Sequence, residues 1–120
     1  MTEGLVVENE LSGKTCVACH GGMPVLEADA VAEMMGQLHG DWALVGKGRK
    51  LLRRVTVKGF NAAHHCANVA AWLGEQEGHH PDIRFGWGYC EVEFTTHVVR
   101  GLTENDFICA AKFDRILAVA

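Results

Sequence analysis

The sequence predicts an α+β fold: a four-stranded antiparallel sheet with three helices packed on one face. Three observations lead there. Three segments repeat apolar residues at three- and four-residue spacing, as a helix with one buried side does. Four shorter segments, paired about glycine-containing turns, have the composition and alternation of strands, which reads as two hairpins. The order is helix, hairpin, helix, hairpin, helix, which lets all the helices share one layer.

A chain of 120 residues is one domain by length, and it can bury about two-thirds of the surface its unfolded form exposes. Apolar residues make up 48% and charged residues 22%, the balance of an ordinary globular protein. The net charge of −4 and the lack of a strongly basic face argue against a nucleic-acid binder. The one basic run, Lys47, Arg49, Lys50, Arg53 and Arg54, reads as the solvated side of a hairpin. No stretch approaches the roughly 18 consecutive apolar residues of a membrane span. The acidic N-terminus lacks the basic-then-apolar order of a signal peptide. A cytoplasmic protein with reduced thiols is therefore expected.

Residues 1–23 read as an N-terminal arm, and 24–120 as the domain. Residues 1–13 show no periodicity and suggest an extended or loose segment. Cys16-Val-Ala-Cys19-His20 then matches the attachment string of c-type haem, but haem needs export and a second axial ligand, and neither is marked. Two thiolates at this spacing make half a zinc site, with no second pair to complete it. A redox pair would want the motif between a strand and a helix. The expectation is a loop with two incidental thiols. Cys66, Cys90 and Cys109 fall within helix or strand and read as small buried hydrophobes.

From Pro24 to Leu38 the apolar positions Leu26, Val31, Met34, Met35 and Leu38 set a helix, with Gly40 as its stop. Residues 42–45 and 50–57, joined through Gly46 and Gly48, make the first hairpin. Trp42 at its start is either core or the wall of a pocket. Asn61 is the expected N-cap of a helix running to about Glu77, with Ala62, Cys66, Val69 and Leu73 as its buried stripe, widened by Ala63, Ala70 and Trp72. His64 and His65 near its start read as surface residues. After Pro81, the run Ile83, Phe85, Trp87 and the run Cys90, Val92, Phe94 each alternate with other residues about a turn at Trp87 and Gly88. Thr103 to Asp106 resembles a capping box opening a last helix from Phe107 to Ala120. That helix is apolar on more than one face, which suggests self-association.

The second hairpin brings distant residues together. If its turn is centred on residue 88, position 97 lies opposite 79, and a centre half a residue earlier puts it opposite 78. His79, His80 and His97 should then meet at the hairpin's open end, within about 5 Å as cross-strand neighbours. Pro81 biases His80 toward extended backbone, so the two adjacent imidazoles point in different directions. Glu75 lies one helical turn before His79 and could pair with it, near a helix C-terminus that favours protonated histidine. Asp106 could face the same cleft or merely cap its own helix. With no metal-ligand spacing such as His-x-His, acid–base chemistry is the first expectation, since imidazole serves as both acid and base near neutral pH.

The string Glu75-x-x-x-His79-His80-Pro81, five residues, Trp87, nine residues, His97, eight residues, Asp106 resembles the signature of the pterin-4a-carbinolamine dehydratases. The resemblance runs from about Trp42 to the C-terminus, and bacterial members often begin with a similar Cys-x-x-Cys segment. It implies dehydration of 4a-hydroxytetrahydrobiopterin to quinonoid dihydrobiopterin, recycling the pterin of aromatic amino acid hydroxylases, with no metal or redox cofactor. It implies the same α+β fold, assembled as a homodimer or homotetramer. By that resemblance His79 and His97 move protons and His80 orients the pterin. Glu75, Pro81, Asp106 and Trp42 bind substrate or support the histidines. Ile83 stands where relatives often have a larger aromatic, and the basic hairpin departs from the family pattern. The competing expectation is a non-catalytic binding module of the same fold, a transcriptional coactivator or an enzyme-assembly factor.

Overall fold

A computed structural model describes residues 10–119. Its elements are α1 (Ala28–Met35), β1 (Trp42–Val45), β2 (Lys50–Thr56), α2 (Phe60–Glu77), β3 (Asp82–Gly86), β4 (Tyr89–Phe94), a 3₁₀ turn (His97–Val99) and α3 (Glu104–Val119). The four strands form one antiparallel sheet in the order β1-β2-β4-β3. The expected fold class is the observed one.

Alternation along the central strands explains why the helices share one face. On β4, Cys90, Val92 and Phe94 are buried, while Glu91 and Glu93 between them point to the open face. There Glu91 meets Arg54 and Arg84, and Glu93 meets Lys50. Against the other face pack α2 and α3, and α1 joins the same core through Val31, Met34 and Met35. Among the described residues no helix is long and apolar enough to cross a membrane.

Several boundaries and faces differ from expectation. The first helix is shorter than Pro24–Leu38, because its apolar spacing continues into an extended segment before it and a turn after it. Gly59 (φ 97°), not Asn61, precedes α2, because only glycine takes that backbone angle without strain, and Asn61 lies inside the helix. The buried stripe of α2 is Ala63, Cys66, Ala67, Ala70, Leu73 and Gly74; Ala62 is exposed and Trp72 is 57% exposed. Small residues on that face let the helix lie close to its neighbours. His64 and His65 are exposed, as expected.

The arm is not loose where it is described. Leu11 is fully buried and Ser12 nearly so. Cys16 and Val17 lie on α3, through Cys109 and Asn105. Of the apolar surplus of α3, Phe107, Ile108, Ala110, Ala111 and Phe113 are buried within the chain itself, while Val119 is 66% exposed. Residues 1–9 of the expected arm, and Ala120 at the end of the last helix, lie outside the described residues.

Candidate active site

The site begins where α2 stops. Gly78 adopts a left-handed conformation (φ 66°), and its N–H and that of His79 return to the carbonyls of Glu75 and Gly74. This is the usual glycine ending of a helix, and it turns the chain inward. Pro81 then prevents the helix from resuming. His79 is driven into the core at 4% exposure, and His80 is left exposed at the surface.

Buried His79 is held on every side. Its ring stacks on Phe94, with centroids 6.1 Å apart and planes at 9°. Its Nε2 lies 2.6 Å from Asp106 Oδ1, and its Nδ1 lies 3.3 Å from Cys19 Sγ. Asp106 is fully buried at the start of α3. Its Oδ2 accepts from the Thr96 hydroxyl at 2.7 Å and from the Thr103 N–H at 2.9 Å. Thr103 in turn pairs its hydroxyl with that of Thr96, at 2.9 Å. Asp106 therefore both caps its helix and faces the histidine, the two roles that the sequence had left as alternatives.

The cleft itself, of about 280 Å³, is lined by Cys19, Gly78, His79, His80, Thr95, His97 and Val98. The three histidines do meet, but not as cross-strand neighbours. Pairing of β3 with β4 runs from Gly86↔Tyr89 to Asp82↔Glu93 and stops, in the register of the earlier turn centre. The chain then leaves the sheet. A bridge between Thr96 and Gly101 closes a short loop, and His97 opens the 3₁₀ turn inside it.

Other residues fall differently. Glu75 pairs with His80 (Oε1 to Nε2, 3.0 Å), not with His79. Pro81 is half-buried over Gly74 and acts on the cleft by directing its neighbours. Trp42 does not line the cleft. Its Nε1–H donates to Asp114 Oδ1 at 2.8 Å, and its ring packs on Phe94 and Phe113. It reaches His79 only through Phe94.

Cys19 was expected to be incidental, and the structure places it in the cleft. Asn105 fixes the segment: its Oδ1 accepts from the Val17 N–H at 3.1 Å and its Nδ2 donates to the Val17 carbonyl at 2.7 Å. Glu77 accepts from the Cys16 N–H at 2.9 Å and from Lys112 Nζ at 2.8 Å. Burial pushes the Glu77 carboxyl upward, but the Cys16 N–H and the Lys112 ammonium outweigh it and leave the group below the ordinary glutamate value. Cys16 faces Cys109 at 3.4 Å, so the two motif cysteines have separate partners. Among the described residues, no three His, Cys, Asp or Glu side chains form a group that could hold a metal. The spacing of the motif was visible in the sequence; its partners lie 60 or more residues away and were not.

Comparison with known proteins adds independent observations. The sequence model of a family described as "Pterin 4 alpha carbinolamine dehydratase" matches residues 24–116. A protein of Nitrosospira multiformis named "putative pterin-4-alpha-carbinolamine dehydratase" is 40% identical over 111 residues, covering 92% of this chain and 96% of the relative. One of the same name from Methylococcus capsulatus is 44% identical over 110 residues, with the same coverage of each chain. A crystal structure from Brucella melitensis, titled a transcriptional coactivator/pterin dehydratase, superposes with a TM-score of 0.70 at 29% identity. It covers 78% of this chain and 98% of its own.

Proposed function

The chain belongs to the pterin 4 alpha carbinolamine dehydratase family, and from that premise we propose that it removes water from 4a-hydroxytetrahydrobiopterin to give quinonoid dihydrobiopterin. One observation carries the proposal: a single cleft holds His79, His80 and His97, with a carboxylate on each of the first two.

The chemistry needs two proton transfers. One proton goes to the hydroxyl leaving C4a, and one is taken from N5 as the C4a–N5 double bond forms. The net change is the loss of water, with no electron gained or lost. His79 suits a general base or acid whose orientation must not vary. Asp106 holds its Nε2, so Nδ1 is the nitrogen turned toward the cleft, beside Cys19. His97, which lines the same cleft, is the second proton-transfer group. Exposed His80, braced by Glu75, orients the pterin. A positioned acid–base group of this kind contributes about 10²–10⁴ in rate. A homodimer or homotetramer working in the cytoplasm beside an aromatic amino acid hydroxylase, without metal or redox cofactor, completes the proposal.

A second reading is favoured by the coactivator title of the Brucella structure: a pterin-fold module that binds a partner and does no chemistry. Stopped-flow dehydration of chemically prepared 4a-carbinolamine separates the two. The dehydratase raises the rate above the spontaneous one, and the binding module leaves it unchanged.

A further inference from the structure

Cys19, His79 and Asp106 form a line of thiol, imidazole and carboxylate. Sγ lies 3.3 Å from Nδ1, and Nε2 lies 2.6 Å from Oδ1. The surrounding bonds set its direction. Asp106 Oδ2 already accepts from Thr96 and Thr103, and a carboxylate offers only acceptors, so Oδ1 accepts from His79 Nε2–H. In the neutral imidazole that assignment leaves a lone pair on Nδ1, and the Cys19 thiol is then the donor to it. A base held by a third group and bonded to a nucleophile is the arrangement by which enzymes activate thiols.

Exposure divides the parts in the same way. Asp106 is fully buried and His79 almost so, whereas Cys19 is exposed and lines the cleft. The Asn105 amide approaches the sulfur at 3.7 Å, as a donor toward developing negative charge. The other cysteines lack this setting. Cys66, Cys90 and Cys109 are buried. Cys109 is pushed up by its contact with Cys16 and by burial, which keeps it a thiol.

We infer that Cys19 is a nucleophilic thiol activated by His79 and Asp106, and a site of covalent modification by small uncharged electrophiles, hydroperoxides among them. With a hydroperoxide, the thiol proton passes to His79 Nδ1 and the sulfur attacks the distal peroxide oxygen. The S–O bond forms as the O–O bond breaks, and the departing alkoxide or hydroxide takes the proton from His79. Sulfur is oxidised to sulfenic acid, and the peroxide is reduced to alcohol or water. No pterin is involved, so the dehydratase proposal can fail without affecting this one.

The groups facing the sulfur are His79, with Asp106 behind it, His80 and His97 across the cleft, and Asn105 from α3; Glu77 and Lys112 pair beyond Cys16. The test is the rate of Cys19 alkylation by iodoacetamide between pH 5.5 and 9, read by peptide mass spectrometry on the folded chain and on the same chain in urea. At pH 6.5 the folded Cys19 should react about tenfold faster than the same cysteine in urea. Hydrogen peroxide with dimedone as trap should mark Cys19 before any other cysteine. His79→Gln should return the Cys19 alkylation rate to the unfolded-chain value. A folded-chain rate equal to or below that in urea, with the same pH profile, would overturn the inference. That comparison needs no variant, so a poorly folded His79→Gln leaves it decisive.

Discussion

His79 Nε2 meets Asp106 Oδ1 at 2.6 Å, joining the end of α2 to the start of α3 in the core of the chain. One carboxylate thereby orients an imidazole, caps a helix and binds the loop through Thr96. Asp106→Asn keeps the volume but turns one acceptor oxygen into a donor, so either His79 or both Thr96 and Thr103 lose their acceptor. Dehydratase kcat should fall about 10²–10⁴-fold. Urea unfolding should show a loss of about 1–3 kcal/mol. Wild-type turnover in a folded variant would show that the pair is structural only.

The Arg53–Asp114 pair offers a stability change away from the cleft. Asp114 accepts from Arg53 at 2.6 Å, from Trp42 Nε1–H at 2.8 Å and from the His39 N–H at 2.9 Å, and the pair is nearly buried. Asp114→Ala leaves a guanidinium in the core without its partner. The expected cost is about 3–5 kcal/mol by urea unfolding, as for other broken buried pairs. The KM of the fraction that remains folded should not change.

Gly74 is the point where the loop crosses α2. A Cβ there would lie 2.5 Å from Pro81 Cδ and 3.3 Å from the His79 carbonyl. Alanine gains up to about 1 kcal/mol in helix propensity, but overpacking of this kind costs about 1–3 kcal/mol. Gly74→Ala should be net destabilising and should lower activity by shifting His79. An unchanged or raised Tm with full activity would contradict the tight crossing.

Acid should release the N-terminal segment through Glu77. Its folded carboxyl titrates below the ordinary glutamate value, so the tie to Cys16 and Lys112 is fully present above about pH 4.3. It is lost as pH falls through the lowered folded value. Hydrogen exchange at the Cys16 amide, corrected for the intrinsic rate, should lose protection over that acid interval. Glu77→Ala should have little protection at any pH.

The alternation of Cys90, Val92 and Phe94 and the apolar stripes made the layers legible, because periodicity directly reports which face is buried. The convergence of His79, His80 and His97 was legible too, since hairpin register carries residues on both sides of a turn to one end. The 3₁₀ turn that actually presents His97 was not, because a single bridge between Thr96 and Gly101 leaves no periodic trace. Trp42 read equally well as core or pocket wall; only its bond to Asp114 decides. The contacts of Cys19 were not legible, because its partners come from two separate helix ends, which spacing within the motif cannot reveal.

The most direct test of the central claim is the dehydration rate of 4a-hydroxytetrahydrobiopterin measured against chain concentration, for the wild-type chain and for His97→Ala. A dehydratase working through the histidine cleft gives a rate rising in proportion to wild-type concentration, and a slope for His97→Ala about 10²-fold or more lower. A flat wild-type line at the spontaneous rate, or a His97→Ala slope equal to wild type, would contradict it.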